Sequence, residues 1–425
     1  MPRILHFGLG NFHRAHQAWY TWKAGGWTIT GVSLRSAGMR DRLAPQGFGY
    51  TVAIKDAKGT AHDWIDCIDG VLVGPGDGAR ILACIAAPDT HVIGFTITEK
   101  GYHLGTDGQL DLKDPALAAD LAGGTQTVYG FLARGLAERR DAGAGPVTLL
   151  SCDNLSHNGA TLLRALQAFC TRAAPDLIPW IDAHVTSPDT MVDRIVPATT
   201  DALIAEVAQA TGRTDAAPVA TEAFTDWVIE DRFAGPHPDW AKVGARLVKD
   251  VAPYELRKLR MLNGAHSYLA YAGTLAGHEY VHQAIADPAL LQGARAIMAE
   301  AIETLPDTVR ADAPAYGDAL IARFANPALH HRLRQIAMDG TQKLLQRLGA
   351  PWADRQAAGL AAPASMAAIG AWLAFVRAET AAGRALDDPK AEALAKAAGD
   401  TTALLEIAGL PAALSGALDG VTRRT

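Results

Sequence analysis

Apolar positions follow two rhythms along this chain, and the change of rhythm divides it. In the first part, short apolar runs alternate with stretches of helical spacing. Ile4 to Phe7 is a short apolar run ending at a glycine, and Trp27 to Leu34 is β-branched and apolar. Tyr50 to Ile54 and Trp64 to Val73 read as further strands, added antiparallel. His91 to Thr98 and Val147 to Cys152 are continuous apolar runs, the pattern of strands buried on both faces. Gly78 to Ala87 and Thr125 to Arg140 have helical spacing, the second closed by the glycine-rich DAGAG. Asn158 to Val185 reads as helix interrupted at Pro175 and Pro179. Such alternation predicts an α/β domain, a parallel sheet with helices on both faces. After about residue 249, Ala, Leu, Arg and Glu recur at helical spacing with Gly and Pro as punctuation. The expectation is an α/β domain over 1–249 and a mainly α-helical domain over 250–425, the boundary falling near Val251 to Pro253. There is no internal repeat, and the Ala-rich stretch 355–372 still reads as helix.

Composition adds limits. At 425 residues the chain is too long for one ordinary core. With 49% hydrophobic and 20% charged residues it has the balance of a globular protein, not of a disordered one. A net charge of −6 argues against nucleic acid or an anionic membrane as partner. Cys67, Cys84, Cys152 and Cys170 show no CxxC pairing, which argues against a disulfide framework and a structural zinc site. Reduced thiols, no leader pattern in MPRILHFGLG and no apolar run of bilayer length together read as a cytoplasmic protein.

Three segments carry candidate chemistry. Gly8-Leu9-Gly10-Asn11-Phe12-His13 directly follows the first strand. Two glycines there suit a tight turn whose backbone N–H groups approach a pyrophosphate, the device of a Rossmann-like dinucleotide-binding domain. The third glycine of that fingerprint is replaced by His13, so an ordinary strand-to-helix turn stays open. The second strand ends in Ser33-Leu34-Arg35-Ser36, with no acidic residue for the adenosine ribose. Arg35 suits a 2′-phosphate or stacking on adenine, leaving NAD against NADP open. Ser151-Cys152-Asp153-Asn154 ends another apolar strand, where Asn154 could donate its amide to a carbonyl oxygen or Asp and Asn could serve as a turn and cap.

The third segment runs from Asp250 through Glu255, Lys258, Asn263 and His266 to Ser267. On a regular helix, Glu255, Lys258 and His266 fall within about 80° of one another, and Asn263 about 60° beyond. Asn, Gly and Ser are poor helix formers, and here they stand among apolar neighbours, which favours a functional cleft over a solvated face. Gly264, near the opposite side, suggests close backbone packing. A lysine of lowered pKa can take the proton of an alcohol while hydride leaves its carbon. Amides from Asn154 and Asn263 would stabilise the developing alkoxide. Glu255 would relay the proton to water, and no metal is called for.

At these residues the chain resembles the polyol-specific long-chain dehydrogenase/reductase family, which includes mannitol 2-dehydrogenases and fructuronate reductases (mannonate oxidoreductases). The resemblance rests on GLGNFHRAHQAWY, on TEKGY at 98–102, on SCDNLSHNG, on TMVDRIVPAT at 190–199 and on KLRMLNGAHSYLAYAG at 258–273, all in order. It implies a Rossmann-like NAD-binding domain followed by a mainly helical substrate-binding and catalytic domain, with no metal. Gly8, Gly10, Asn11 and Phe12 match its cofactor loop. Lys258 matches its catalytic lysine, and Asn154 and Asn263 the pair that binds the reacting oxygen. His266 matches a substrate-orienting histidine, Asp193 a contact to a substrate hydroxyl, and Lys343 a second substrate-binding lysine. Glu255 and Glu99 match residues linked to proton passage.

Two departures bear on substrate. Gln335 stands where mannitol dehydrogenases carry a substrate-binding arginine, and GVSLRS, WVIEDRF and RQIAMDGTQKL read closer to the fructuronate reductase branch. The expected partner is therefore a small-molecule sugar acid, D-mannonate or D-fructuronate, with a polyol such as mannitol as the alternative. Lys343, Arg14 and Arg334 are the candidates for binding a carboxylate. A catalytically inactive NAD-binding sensor is the reading from another class. The chain is expected to be a monomer or small homo-oligomer.

Overall fold

The computed structural model describes residues 1–56, 58–329 and 331–422. They form two compact units, Met1–Ala252 and Pro253–Thr425.

The first unit is built on a six-stranded sheet. Its strands are β1 (Arg3–Phe7), β2 (Thr28–Ser33), β5 (Ile68–Val73), β6 (Thr90–Phe95), β7 (Val147–Ser151) and β8 (Val185–Thr186). Every pair is parallel and the spatial order is β5-β2-β1-β6-β7-β8. Counting only this sheet's strands along the chain, the order is 3-2-1-4-5-6, that of the doubly wound dinucleotide-binding fold. The apolar runs follow from burial on both faces. Ile4, Val92 and Leu150 enter one core with Trp227 and Trp240, while their neighbours Leu5, Ile93 and Leu149 enter another with Phe131 and Phe169. Such a strand has no polar side to alternate with.

Two small sheets flank this layer. β3 (Tyr50–Asp56) pairs antiparallel with β4 (Gly59–Ile65) and parallel with β10 (Val219–Glu222). β11 (Asp226–Glu230) lies between β9 (Thr190–Asp193) and β12 (Arg246–Val248). The expectation of one antiparallel strand over Trp64 to Val73 is corrected here. Trp64 and Ile65 close the hairpin strand β4, whereas β5 joins the main sheet in parallel beside β2. The reason is burial: Ile68, Val71, Leu72 and Val73 are all enclosed, as a flanking hairpin strand would not be. The proline reading also shifts. The helix Asn158–Ala173 ends before Pro175, but Pro179 lies in the first turn of Ile178–His184, where its missing N–H costs nothing.

The second unit is mainly helical. Its central helix, Gly264–Leu275, packs against Pro288–Glu303, Leu333–Ala337 and Pro363–Ala381, burying Leu269, Ala270, Tyr271 and Trp372. Among the described residues, no helix is long and apolar enough to cross a membrane.

Candidate active site

In an open parallel sheet, ligands settle beyond the carboxyl ends of the strands where the strand order reverses. Here that switch point lies between β1 and β6, and the glycine turn leaves β1 there. The two glycines of the turn do different jobs. Gly8 has φ +94°, and a Cβ on it would fall 2.0 Å from the Thr96 carbonyl oxygen. Its N–H donates to the Val32 carbonyl at 2.9 Å, so the turn is pinned between β2 and β6. Gly10 has an ordinary φ of −84°, and a Cβ there would meet nothing nearer than the Gly8 oxygen at 4.0 Å. Neither backbone conformation nor packing within the protein demands glycine at position 10, and the space beside it is open.

The residues after the turn are braced by the protein. Asn11 donates to Thr199 Oγ1 at 3.1 Å and accepts from Arg14 at 2.7 Å. Phe12 stacks on His16 with ring centroids 4.9 Å apart. Arg14 is buried, donates also to the Ala217 carbonyl and has its pKa drawn down to about 10, chiefly by burial. It is tied into the fold at both terminal nitrogens. Arg35 stands exposed just past β2.

The ends of β6 and β7 are joined by a carboxylate. Asp153 accepts from the Ile97 N–H at 3.0 Å, the Thr98 N–H at 2.9 Å and the Tyr102 hydroxyl at 3.0 Å. Burial outweighs these bonds and raises its pKa. The latch holds Thr98 at φ +64°, a strained conformation for a β-branched residue. Glu99 follows, exposed, and Asn154 is exposed directly after Asp153. Asp153 is thus a latch between loops and caps no helix: the helix Asn158–Ala173 has His157 at its N-cap, without a side-chain cap. Asn158 is likewise structural, bonding Asp153 O, Thr190 O and Thr190 Oγ1. Asp193 is buried at the end of β9, opposite Asp226.

In the second unit, Glu255, Lys258, Asn263 and His266 lie on one continuous helical stretch, but not on a regular α-helix. Lys258–Asn263 is π-helical, and the Gly264 N–H donates to the Leu259 carbonyl five residues back. The 100° reckoning from sequence does not carry through such a segment, which is a correction to the regular helix expected there. Lys258 opens this segment. The arginines around it are built into the fold: Arg257 lies over the Tyr316 ring at 4.2 Å, and Arg260 bonds Asp354 at 2.6 Å and the Thr304 carbonyl at 3.0 Å. Gly264 is closely packed, as its sequence context suggested, a Cβ there falling 3.2 Å from the Arg347 carbonyl oxygen.

His266 is buried against the Phe324 ring at 4.4 Å, with His331 edge-on at 5.4 Å. Its pKa lies well below the usual value, first through burial and then through His331, Arg323 and Arg347 nearby. It is therefore a neutral imidazole, and its Nε2 has no hydrogen-bond partner among the described residues. Lys343 donates to the Met338 carbonyl at 2.8 Å and lies 3.6 Å from Asp339. Gln335 is exposed on the helix Leu333–Ala337. Arg334 is tied to Glu379 at 2.8 and 3.2 Å, and with Arg384 it holds that carboxylate at about 2. Among the described residues, no group of three or more His, Cys, Asp or Glu could hold a metal ion.

The fold thus gathers Gly8, Gly10, Arg35, Glu99 and Asn154 at the carboxyl ends of β1, β2, β6 and β7, and carries Glu255, Lys258, Asn263 and His266 on a separate unit. Sequence reasoning missed the latching role of Asp153 and the roles of His6 and Thr96 beneath the turn. The partners that define these roles lie 51 to 90 residues away, beyond any local spacing signal.

Comparison with known proteins decides the family. The mannitol dehydrogenase Rossmann domain matches residues 2–242, and the mannitol dehydrogenase C-terminal domain matches residues 250–408. The chain belongs to the mannitol dehydrogenase family. It is an oxidoreductase of that family, 43% identical over 359 residues to the D-mannonate oxidoreductase of Escherichia coli K12, covering 81% of this chain and 74% of the relative. It is 38% identical over 425 residues to the mannitol 2-dehydrogenase of Phaeosphaeria nodorum, covering 96% and 75%. The Pseudomonas fluorescens mannitol 2-dehydrogenase, solved as a ternary complex with NAD and D-mannitol, superposes with a TM-score of 0.82 at 33% identity, covering 98% of this chain and 89% of that one.

Proposed function

We propose that this member of the mannitol dehydrogenase family is an NAD-dependent dehydrogenase that interconverts D-fructuronate and D-mannonate at C2, with residues 1–249 binding the cofactor and residues 250–425 supplying the catalytic lysine and most of the substrate contacts. The observation that carries the cofactor assignment is the glycine turn at the switch point, where Gly8 admits no side chain and Gly10 leaves room for a ligand. Gly8, Gly10, Asn11 and Phe12 would hold the dinucleotide, with Arg35 beside the adenosine. NAD, once bound, supplies the acceptor for hydride from C2.

The chain's own residues handle the proton and the charge. Lys258 Nζ, as a neutral amine, takes the C2 hydroxyl proton during oxidation and returns it during reduction. Asn154 and Asn263 donate amide N–H groups to the reacting oxygen as negative charge builds on it. His266, kept neutral by burial, offers one N–H to a substrate hydroxyl. Asp193 accepts from a second hydroxyl, and Lys343 serves as the cation for the carboxylate, the role that the resemblance to the family gives it. Glu255 passes the proton towards water, with Glu99 as a further carrier. These groups cover every proton and charge, so no metal is needed, and dialysis against EDTA is expected to leave turnover unchanged. Loss of activity restored by zinc would contradict that.

We favour mannonate over mannitol; the 43% identity to a mannonate oxidoreductase and Gln335 in place of the expected arginine support that order. Mannitol is the second reading, favoured by the 38% identity to mannitol 2-dehydrogenases. Steady-state assays with NADH are expected to give kcat/KM for fructuronate at least about 100-fold above that for fructose, because a site built for a charged group rejects an analogue lacking it. Turnover of mannitol with none of mannonate would reverse the order. Parallel titration with NADPH tests the cofactor, with weaker binding expected.

A further inference from the structure

Granting the proposed cofactor reading of the Gly8 turn, we infer that a buried relay, Gln17 to His6 to Thr96, fixes the Gly8 carbonyl and so positions the cofactor-binding turn. The Gly8 carbonyl oxygen accepts from the Gly10 N–H at 2.7 Å and lies 2.5 Å from Thr96 Oγ1. Two oxygens that close must share a hydrogen, and the carbonyl has none, so the Thr96 hydroxyl donates. Its only hydrogen being used, Thr96 Oγ1 must accept from His6 Nε2, 2.9 Å away. That settles the tautomer: His6 carries its proton on Nε2, and Nδ1 is an acceptor.

Gln17 completes the chain. A Cβ on Gly94 would fall 2.4 Å from His6 Nδ1 and 2.8 Å from Gln17 Oε1, so both groups lie against the bare face of Gly94. Both ends of the Gln17 amide and His6 Nδ1 are buried with no hydrogen-bond partner among the described residues while Oε1 faces the ring. With the amide turned so that Nε2 faces Nδ1, Gln17 donates to His6 and the buried acceptor is satisfied. The His13 ring covers His6, the centroids 3.5 Å apart and the planes 22° from parallel. Burial drives the His6 pKa down to about 3, so the ring stays neutral and works through its tautomer rather than through charge. None of the three relay side chains, Gln17, His6 and Thr96, belongs to the turn itself. They come from β1, from the end of β6 and from the helix Gln17–Ala24, directly under the switch point.

The test compares Thr96→Val with Thr96→Ser, reading NADH affinity by fluorescence titration, KM for NADH against kcat, and Tm. Valine keeps the shape but leaves the His6 N–H and the Gly8 carbonyl short of a partner. The dissociation constant and KM for NADH should rise about tenfold or more while kcat at saturating NADH changes less than about threefold. Serine restores the hydroxyl and should return NADH binding to near wild type. Wild-type affinity in Thr96→Val, or equal weakening in Thr96→Ser, overturns the relay. If the valine variant does not fold, nitrogen-15 NMR of histidine in the intact protein decides: an Nδ1-protonated His6 overturns the relay, and an Nε2-protonated one supports it. Failure of the unmodified protein to bind NADH or NADPH would instead remove the cofactor reading.

Discussion

Replacing Lys258 with alanine is expected to lower kcat by about 100- to 10,000-fold in both directions, the usual worth of a positioned acid or base. NADH affinity should stay within about twofold, because the proposed cofactor turn belongs to the other unit of the chain. Lys258→Arg should fail to restore turnover, since a guanidinium cannot release its proton near neutral pH. Stopped-flow measurement of hydride transfer, alongside a fluorescence titration with NADH, separates the two effects. Near-normal turnover in Lys258→Ala would remove the lysine from the mechanism and leave its place on the π-helical segment unexplained.

Gly8→Ala is expected to be the most damaging single change in the first unit. The added Cβ would sit 2.0 Å from the Thr96 carbonyl oxygen, and that atom is backbone, so no side-chain rotation relieves the clash. Relief requires prising the end of β1 from β6, at the expense of the Thr96 N–H bond to the Phe7 carbonyl at 2.9 Å. The position also requires φ +94°, which alanine resists. Loss of soluble protein, or NADH binding weakened by more than about 100-fold with a lowered Tm, is the expected result. Gly10→Ala is the control. Its Cβ meets only the Gly8 oxygen, at an unstrained 4.0 Å, so Tm should hold while NADH binding falls. Unchanged affinity in the Gly10 variant would place the pyrophosphate elsewhere.

The sequence was readable where burial imposes a simple pattern. β1, β2, β6 and β7 are apolar runs because both their faces enter cores, and their glycine turn and polar ends stand in the open order of the chain. The main helical stretches followed from their spacing. What escaped notice was set by distant partners or by short elements. Trp64 to Val73 is one apolar stretch in the sequence, yet a break near Asp66 and Cys67 sends its halves to different sheets. β9 to β12 span only three to five residues each and carry too few positions for a period to show. Of the candidate site, Lys258, Asn263 and His266 could be singled out as polar residues in an apolar helix. Asp153 and Thr96 could not, because an aspartate or threonine after a strand looks the same whether it caps a turn or binds a loop 50 or more residues away.

The widened turn at Lys258–Asn263 has a further consequence for how this helix is tuned. A π-type turn amounts to one supernumerary residue in an otherwise regular coil. Deleting a residue between Lys258 and Asn263 would let the coil heal into the commoner hydrogen-bonding pattern, and heat resistance would be the natural gain. The same repair would swing Glu255 and Lys258 by about 100° relative to His266. The extra residue therefore sets the spacing of the polar side chains on either side of it.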